Sequence, residues 1–126
     1  FNPDEILFLG SSHSHNGLNS PPPPDLWPNI VPTVWIADLA REKLEMPLRV
    51  LSGYRNVAYN RSVGGARNSE HVQFRALDLA PPADSIDELF RLLVAWREAG
   101  VFRGGIGKYR TFIHLDTRGQ NATWGA

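Results

Sequence analysis

Ser69-Glu70-His71-Val72-Gln73-Phe74-Arg75-Ala76-Leu77-Asp78 and, further along, Phe112-Ile113-His114-Leu115-Asp116 are the stretches on which the reading of this chain turns. Side chains alternate across a β-strand, so residues two apart share a face. Over Arg75 to Ala80, Leu77 and Leu79 point one way, while Ala76, Asp78 and Ala80 point the other. Over Thr111 to Thr117, Ile113 and Leu115 take one face, and Phe112, His114 and Asp116 the opposite one. Each strand thus offers an apolar face to a core and a second face bearing Asp78 or His114. A carboxylate in a half-buried strand is costly unless it is paired or bound to a metal. His71 precedes the first of these strands by a few residues and can fold back beside Asp78, where the small Ala76 leaves room. Two imidazoles and a carboxylate suit zinc, whose catalytic sites keep a further position open for water. Taken singly, a strand histidine is more often a surface or hydrogen-bonded core residue than a ligand. On residue types alone, the metal and structural readings stand level.

Working outward, Val34, Ala37, Ala40 and Leu44 recur at helical spacing and predict an amphipathic helix over residues 33–46, stopped by Pro47. Leu48 to Ser52 reads as a short strand ended by Gly53, and residues 56–63 as a brief helix before the turn at Gly64-Gly65. Ser85 with Glu88 three residues on has the form of a capping box. It opens a helix through Ala99 with Ile86, Leu89, Phe90, Leu93 and Trp96 inward, ended by Gly100. Gly104 to Tyr109 and Thr111 to Thr117 form a final strand pair with Arg110 near the turn. The first third is turn-rich. Its proline run, Pro21 to Pro24, reads as a rigid strap over the core. The order of elements predicts one domain over residues 1–126 of the α+β class. It is a small, mostly antiparallel sheet with helices packed on one face and the candidate metal site on the other.

Composition narrows the function classes. The 126 residues suit a single core, and 13 basic residues balance 13 acidic ones without any basic run. A nucleic-acid partner is therefore not expected, because such proteins usually carry a clear basic excess. The absence of cysteine excludes disulfides and thiolate metal sites. No apolar stretch approaches the roughly 20 residues of a membrane span. The chain begins at Phe1 rather than Met, which leaves room for an upstream targeting segment. His13 and His15 read as solvent-facing loop histidines, not ligands. The chain is read as a monomer.

The segment Ser69 to Asp78 resembles the S-x-H-x-x-G-x-A-x-D signature of the zinc D-Ala-D-Ala carboxypeptidase and murein endopeptidase family, which shares the hedgehog-type zinc fold. Further stretches match in order: Ser52-Gly53-Tyr54-Arg55, Tyr59-Asn60 with Val63 to Ala66, Gly104 to Tyr109, and Phe112 to Arg118. The resemblance implies a Zn2+ ion held by His71, Asp78 and His114, and a peptidase acting on peptidoglycan stem peptides or cross-links. It implies a location in the bacterial cell envelope, periplasmic or secreted. Arg55 matches the arginine placed near substrate, for a carboxylate or the developing oxyanion, and Ser69 is a substrate-binding or supporting residue. Two positions depart from the family pattern. Phe74 replaces the signature glycine and puts a bulky ring between the ligands, tolerable if it points into the core and otherwise a change in pocket shape. Thr111 stands where many relatives carry a carboxylate. Asp116, on the same face as His114, is then expected to serve as base or to orient the catalytic water, with Glu70 as the fallback. Both departures also motivate the alternative of a zinc-stabilised, hedgehog-like binding module without peptidase activity.

Overall fold

The alternation in the two motif strands builds the centre of a sheet. β2 (Ala76–Ala80) and β4 (Ile113–Asp116) run antiparallel, with Ala76 opposite Asp116, Leu77 opposite Leu115 and Asp78 opposite His114. β1 (Arg49–Ser52) pairs with β2 and β3 (Gly105–Lys108) with β4, both antiparallel. A terminal β5 (Ala122–Trp124), not anticipated from the sequence, lies parallel to β3. The order β1-β2-β4-β3-β5 makes a five-stranded, mostly antiparallel sheet. The computed structural model describes residues 1–7 and 18–125, so His13 and His15 lie outside the described residues. Among those described, no helix is long and apolar enough to cross a membrane.

Helices cover the apolar face, as the α+β reading requires. α1 (Pro3–Ile6) contacts β1, while α2 (Trp27–Leu44) and α4 (Ile86–Glu98) pack on the central strands. Ile30, Ile36, Ala37 and Ala40 of α2 and Leu89 and Leu93 of α4 share one core with Leu77, Leu79, Ile106, Ile113 and Leu115. Burying a large apolar side chain of this kind contributes roughly 1.5–3 kcal/mol. That face is therefore decided by the hydrophobic effect, and the other face is left to carry the polar site.

Two local readings need correction. α2 begins at Trp27, six residues before the predicted start, with Pro32 inside it. Pro28 sits in the first turn, where an amide hydrogen has no helical partner, and Pro32 forgoes one intrahelical bond. Burial of Ile30 and Thr33 on either side of Pro32 offsets that loss. The capping box at Ser85 does not form. Ser85 has φ −115° and ψ 9°, outside the extended conformation that aims a capping hydroxyl at the helix, and its Oγ donates to Asp84 at 3.3 Å. α3 (Val57–Ser62) is capped instead by Asn56, whose side chain accepts the Tyr59 amide at 2.8 Å.

Phe74 points into the core, and its ring is fully buried. It meets Trp27 edge-on at 5.3 Å and Tyr54 at 6.0 Å. Its φ is +55°, in the left-handed region that glycine adopts freely and other residues enter at about 1–2 kcal/mol. The backbone at this position is therefore suited to glycine while the side chain is an anchor. Truncating the ring should destabilise the fold by about 3–5 kcal/mol in Phe74→Ala. Phe74→Gly should be less damaging than Phe74→Ala by about 1 kcal/mol, the reverse of the usual order, in denaturant unfolding.

Candidate metal centre

The register of β2 and β4 sets Asp78 directly across from His114. The chain ahead of β2 supplies the third side chain. Successive turns close through the Val72 amide on Ser69, the Phe74 amide on His71 and the Arg75 amide on Glu70, at 3.0–3.2 Å. The left-handed Phe74 then turns the chain into β2, leaving His71 beside Asp78. One donor atom from each of His71, Asp78 and His114 lies within 4.8 Å of the others, and all three residues are buried. Asp78 Oδ1 is 3.1 Å from His71 Nε2 and 3.3 Å from His114 Nδ1.

The hydrogen-bond partners assign the tautomers. His71 Nδ1 lies 2.7 Å from the Gly53 carbonyl oxygen, and His114 Nε2 lies 2.7 Å from Asp116 Oδ2. Both oxygens only accept, so these nitrogens carry the ring protons. His71 Nε2 and His114 Nδ1 therefore aim lone pairs at Asp78 Oδ1, another lone-pair donor. Three such donors repel one another unless a cation lies among them. Ligands at about 2.0–2.1 Å around a tetrahedral zinc stand roughly 3.3 Å apart, and the two measured separations match that edge. Two neutral imidazoles and one carboxylate fit zinc.

Titration follows from the same contacts. In the metal-free form, where a further ring proton takes the cation's place, burial works to raise the Asp78 carboxyl, but the charge on His71 and the N–H groups of His114 and His71 outweigh it and hold the group well below the usual carboxylate range. In that same form burial works to lower His114, and the bonds its two N–H groups make to Asp116 and Asp78 reverse that and raise it.

Asp116 shares a face with His114, as alternation predicts, but it stands behind the imidazole. Its carboxylate is wholly buried and does not line the cleft. Oδ1 accepts the Gly105 amide at 2.8 Å, the Arg118 amide at 3.1 Å and Arg118 Nε at 2.9 Å. Oδ2 accepts Arg118 Nη2 at 2.6 Å as well as His114. These donors outweigh the burial and keep the Asp116 carboxyl well below its ordinary range. Any Cβ at Gly105 would strike this carboxylate, so glycine is what admits the backbone amide. Asp116 thus meets the cleft through His114 and Arg118 rather than by its own carboxylate.

An open cleft of about 410 Å³ lies over the donor group, and Arg55, Ser69, Glu70 and Arg118 all line it. Arg55 donates to Ser52 Oγ at 3.0 Å, Asn60 Oδ1 at 3.3 Å and Asp78 Oδ2 at 3.2 Å. Its loop is pinned by Asn19, whose side chain donates to the Tyr54 carbonyl at 2.9 Å and accepts the Asn56 amide at 3.1 Å. The Ser69 hydroxyl oxygen accepts the His71 amide at 3.2 Å. Glu70 Oε2 lies 2.9 Å from Arg75 Nε. Trp124, carried on β5, stands 4.9 Å from the His114 ring. The role of Arg118 escaped the sequence reading. The available signal was its i, i+2 spacing from Asp116.

A buried two-histidine, one-aspartate donor set beneath an open cleft is a group that could hold a catalytic metal ion. The family model described as Peptidase M15 matches residues 1–116, and the chain belongs to that family. Its members are zinc-dependent metallopeptidases, in agreement with the donor group at His71, Asp78 and His114. Comparison with curated proteins gives no match.

His71→Ala or His114→Ala should each abolish stoichiometric zinc binding in metal analysis. Asp116→Asn removes no ligand but loosens the His114 imidazole. It should weaken zinc roughly 10–100-fold in competition with a chromophoric chelator.

Proposed function

We propose that this metallopeptidase hydrolyses amide bonds in bacterial peptidoglycan stem peptides or cross-links, as a D-Ala-D-Ala carboxypeptidase or murein endopeptidase acting as a monomer in the cell envelope. The observation that carries the reading is the convergence of His71 Nε2, Asp78 and His114 Nδ1 under a cleft already furnished with Arg55 and Ser69. Bound zinc would supply Lewis acidity and lower the pKa of water to roughly 7.

The protein's own groups do the rest. The Gly53 carbonyl and the Asp116 carboxylate hold the two imidazoles in the ligating tautomer and orientation. Arg55 is fixed by Ser52, Asn60 and Asp78 at the edge of the donor group, where a guanidinium can pair with a substrate carboxylate or meet the charge that develops on the scissile carbonyl. Ser69, beside the first ligand, offers its hydroxyl to the bound peptide. Asp116 acts through His114 as a positioning residue. Glu70 is the carboxylate that lines the cleft outside the ligand set, and it becomes the proton acceptor in this reading.

Zinc-loaded protein incubated with purified peptidoglycan should release soluble peptide fragments detectable by mass spectrometry. No release across several stem chemistries at full zinc occupancy would favour the zinc-stabilised recognition module instead. Glu70→Gln should keep stoichiometric zinc while losing roughly 10²–10⁴-fold in kcat, the usual contribution of a general base. An unchanged kcat would remove Glu70 from the chemistry.

A further inference from the structure

Arg118 enters the cleft with only one edge of its guanidinium occupied. Nε and Nη2 make a side-on fork on the Asp116 carboxylate, at 2.9 and 2.6 Å. A guanidinium carries five N–H donors in one rigid plane, so the end formed by Nη1 and the second Nη2 hydrogen is left over. Among the described residues no hydrogen bond reaches Nη1. The side chain is 29% exposed and lines the same cleft as His71, Asp78 and His114.

Arg55, which also lines the cleft, and Arg75, which pairs with the cleft residue Glu70, are used differently. Arg55 commits each of its three nitrogens to a separate protein group, and Arg75 is paired with Glu70. Arg118 is also held in place from several sides. Its own amide donates to Asp116 at 3.1 Å, and its guanidinium carbon lies 5.5 Å from the Trp124 ring. Trp124 is in turn tied to the Tyr109 hydroxyl at 3.0 Å. The strand that carries it is clamped by Arg97, which donates to the Gly104 and Ala122 carbonyls at 2.9 and 2.7 Å. A pre-organised cation with an unused planar fork matches a carboxylate.

Position adds a constraint. One imidazole ring and the two hydrogen bonds through Asp116 separate this fork from the ligating Nδ1 of His114. The path bends at Asp116 Oδ2, so the span is at most about two extended residues at ~3.3–3.6 Å each. We propose that Arg118 reads a substrate carboxylate lying one or two residues from the scissile bond, and thereby sets a preference for stem peptides in which that carboxylate is free. The inference rests on the peptidase reading above and narrows its substrate class. The carboxylate can belong to the chain terminus or to an acidic side chain, and the same chemistry serves both.

The test compares three forms of one peptide ending in D-Ala-D-Ala: the free acid, its C-terminal amide, and the form amidated on the acidic side chain before that pair. With the wild-type zinc-loaded protein, one amidated form should fall roughly 10–100-fold below the free acid in kcat/KM, the range of a charge-assisted hydrogen bond. The form that falls identifies the source of the carboxylate. In Arg118→Gln the ratio should collapse to near unity. Arg118→Lys should retain part of it, because the charge stays while the fork is lost. Loosening Asp116 slows all three substrates alike and leaves the ratio untouched, so the ratio separates recognition from support. Equal kcat/KM for all three forms in the wild type, or discrimination that survives Arg118→Gln, overturns the proposal. If no form is hydrolysed, the peptidoglycan reading falls separately. Equilibrium binding of the same peptides to metal-free protein, followed by tryptophan fluorescence, then decides Arg118 by the same ratio.

Discussion

Asp78 and His114 face each other across β2 and β4, and the metal centre depends on that register. A slip of one residue would carry both side chains to the opposite face. It would also drive Leu77, Leu79, Ile113 and Leu115, all fully buried, out of the core. At roughly 1.5–3 kcal/mol for each such side chain, the penalty exceeds anything the polar face could recover. The hydrophobic effect on one side of the sheet thus sets the ligand geometry on the other.

Support for the ligands comes from contacts that would be expensive if left incomplete. Buried carboxylates are tolerated only when charge and hydrogen bonds replace lost water. Asp78 lies among two imidazoles and Arg55, and Asp116 among His114, Arg118 and the Gly105 amide. The described residues leave no buried side-chain polar atom without a partner. Because the Gly53 carbonyl and the Asp116 carboxylate can only accept, they select one imidazole tautomer at each histidine. A chain of contacts then runs from the donor group through Asp116 to Arg118 and Trp124, joining the ligand shell to the cleft wall.

Phe74 shows how backbone and side chain can ask for different residues at one position. The turn that brings His71 beside Asp78 needs a left-handed residue, while the gap between Trp27 and Tyr54 needs an aromatic ring. Burial of the ring outweighs the strain, so a residue that departs from the family signature preserves the turn. Pro32 in α2 and Ser85 before α4 are similar in kind. Local propensity pointed one way, and packing or loop geometry decided otherwise.

By itself the sequence determined the α+β class, the faces of β2 and β4, and a donor set rich enough for a zinc peptidase of the Peptidase M15 family. Period-two alternation is a local property, and motif residues keep their order whatever the fold does with them. Tertiary structure alone decided which ring nitrogen would face a metal ion, because that depends on the Gly53 carbonyl and on Asp116. It also decided that Asp116 stands behind His114, and that β5 returns alongside β3 to bring Trp124 against the site. Those outcomes rest on contacts between residues far apart in the chain, fixed only once the core has closed. No spacing rule along the sequence encodes them.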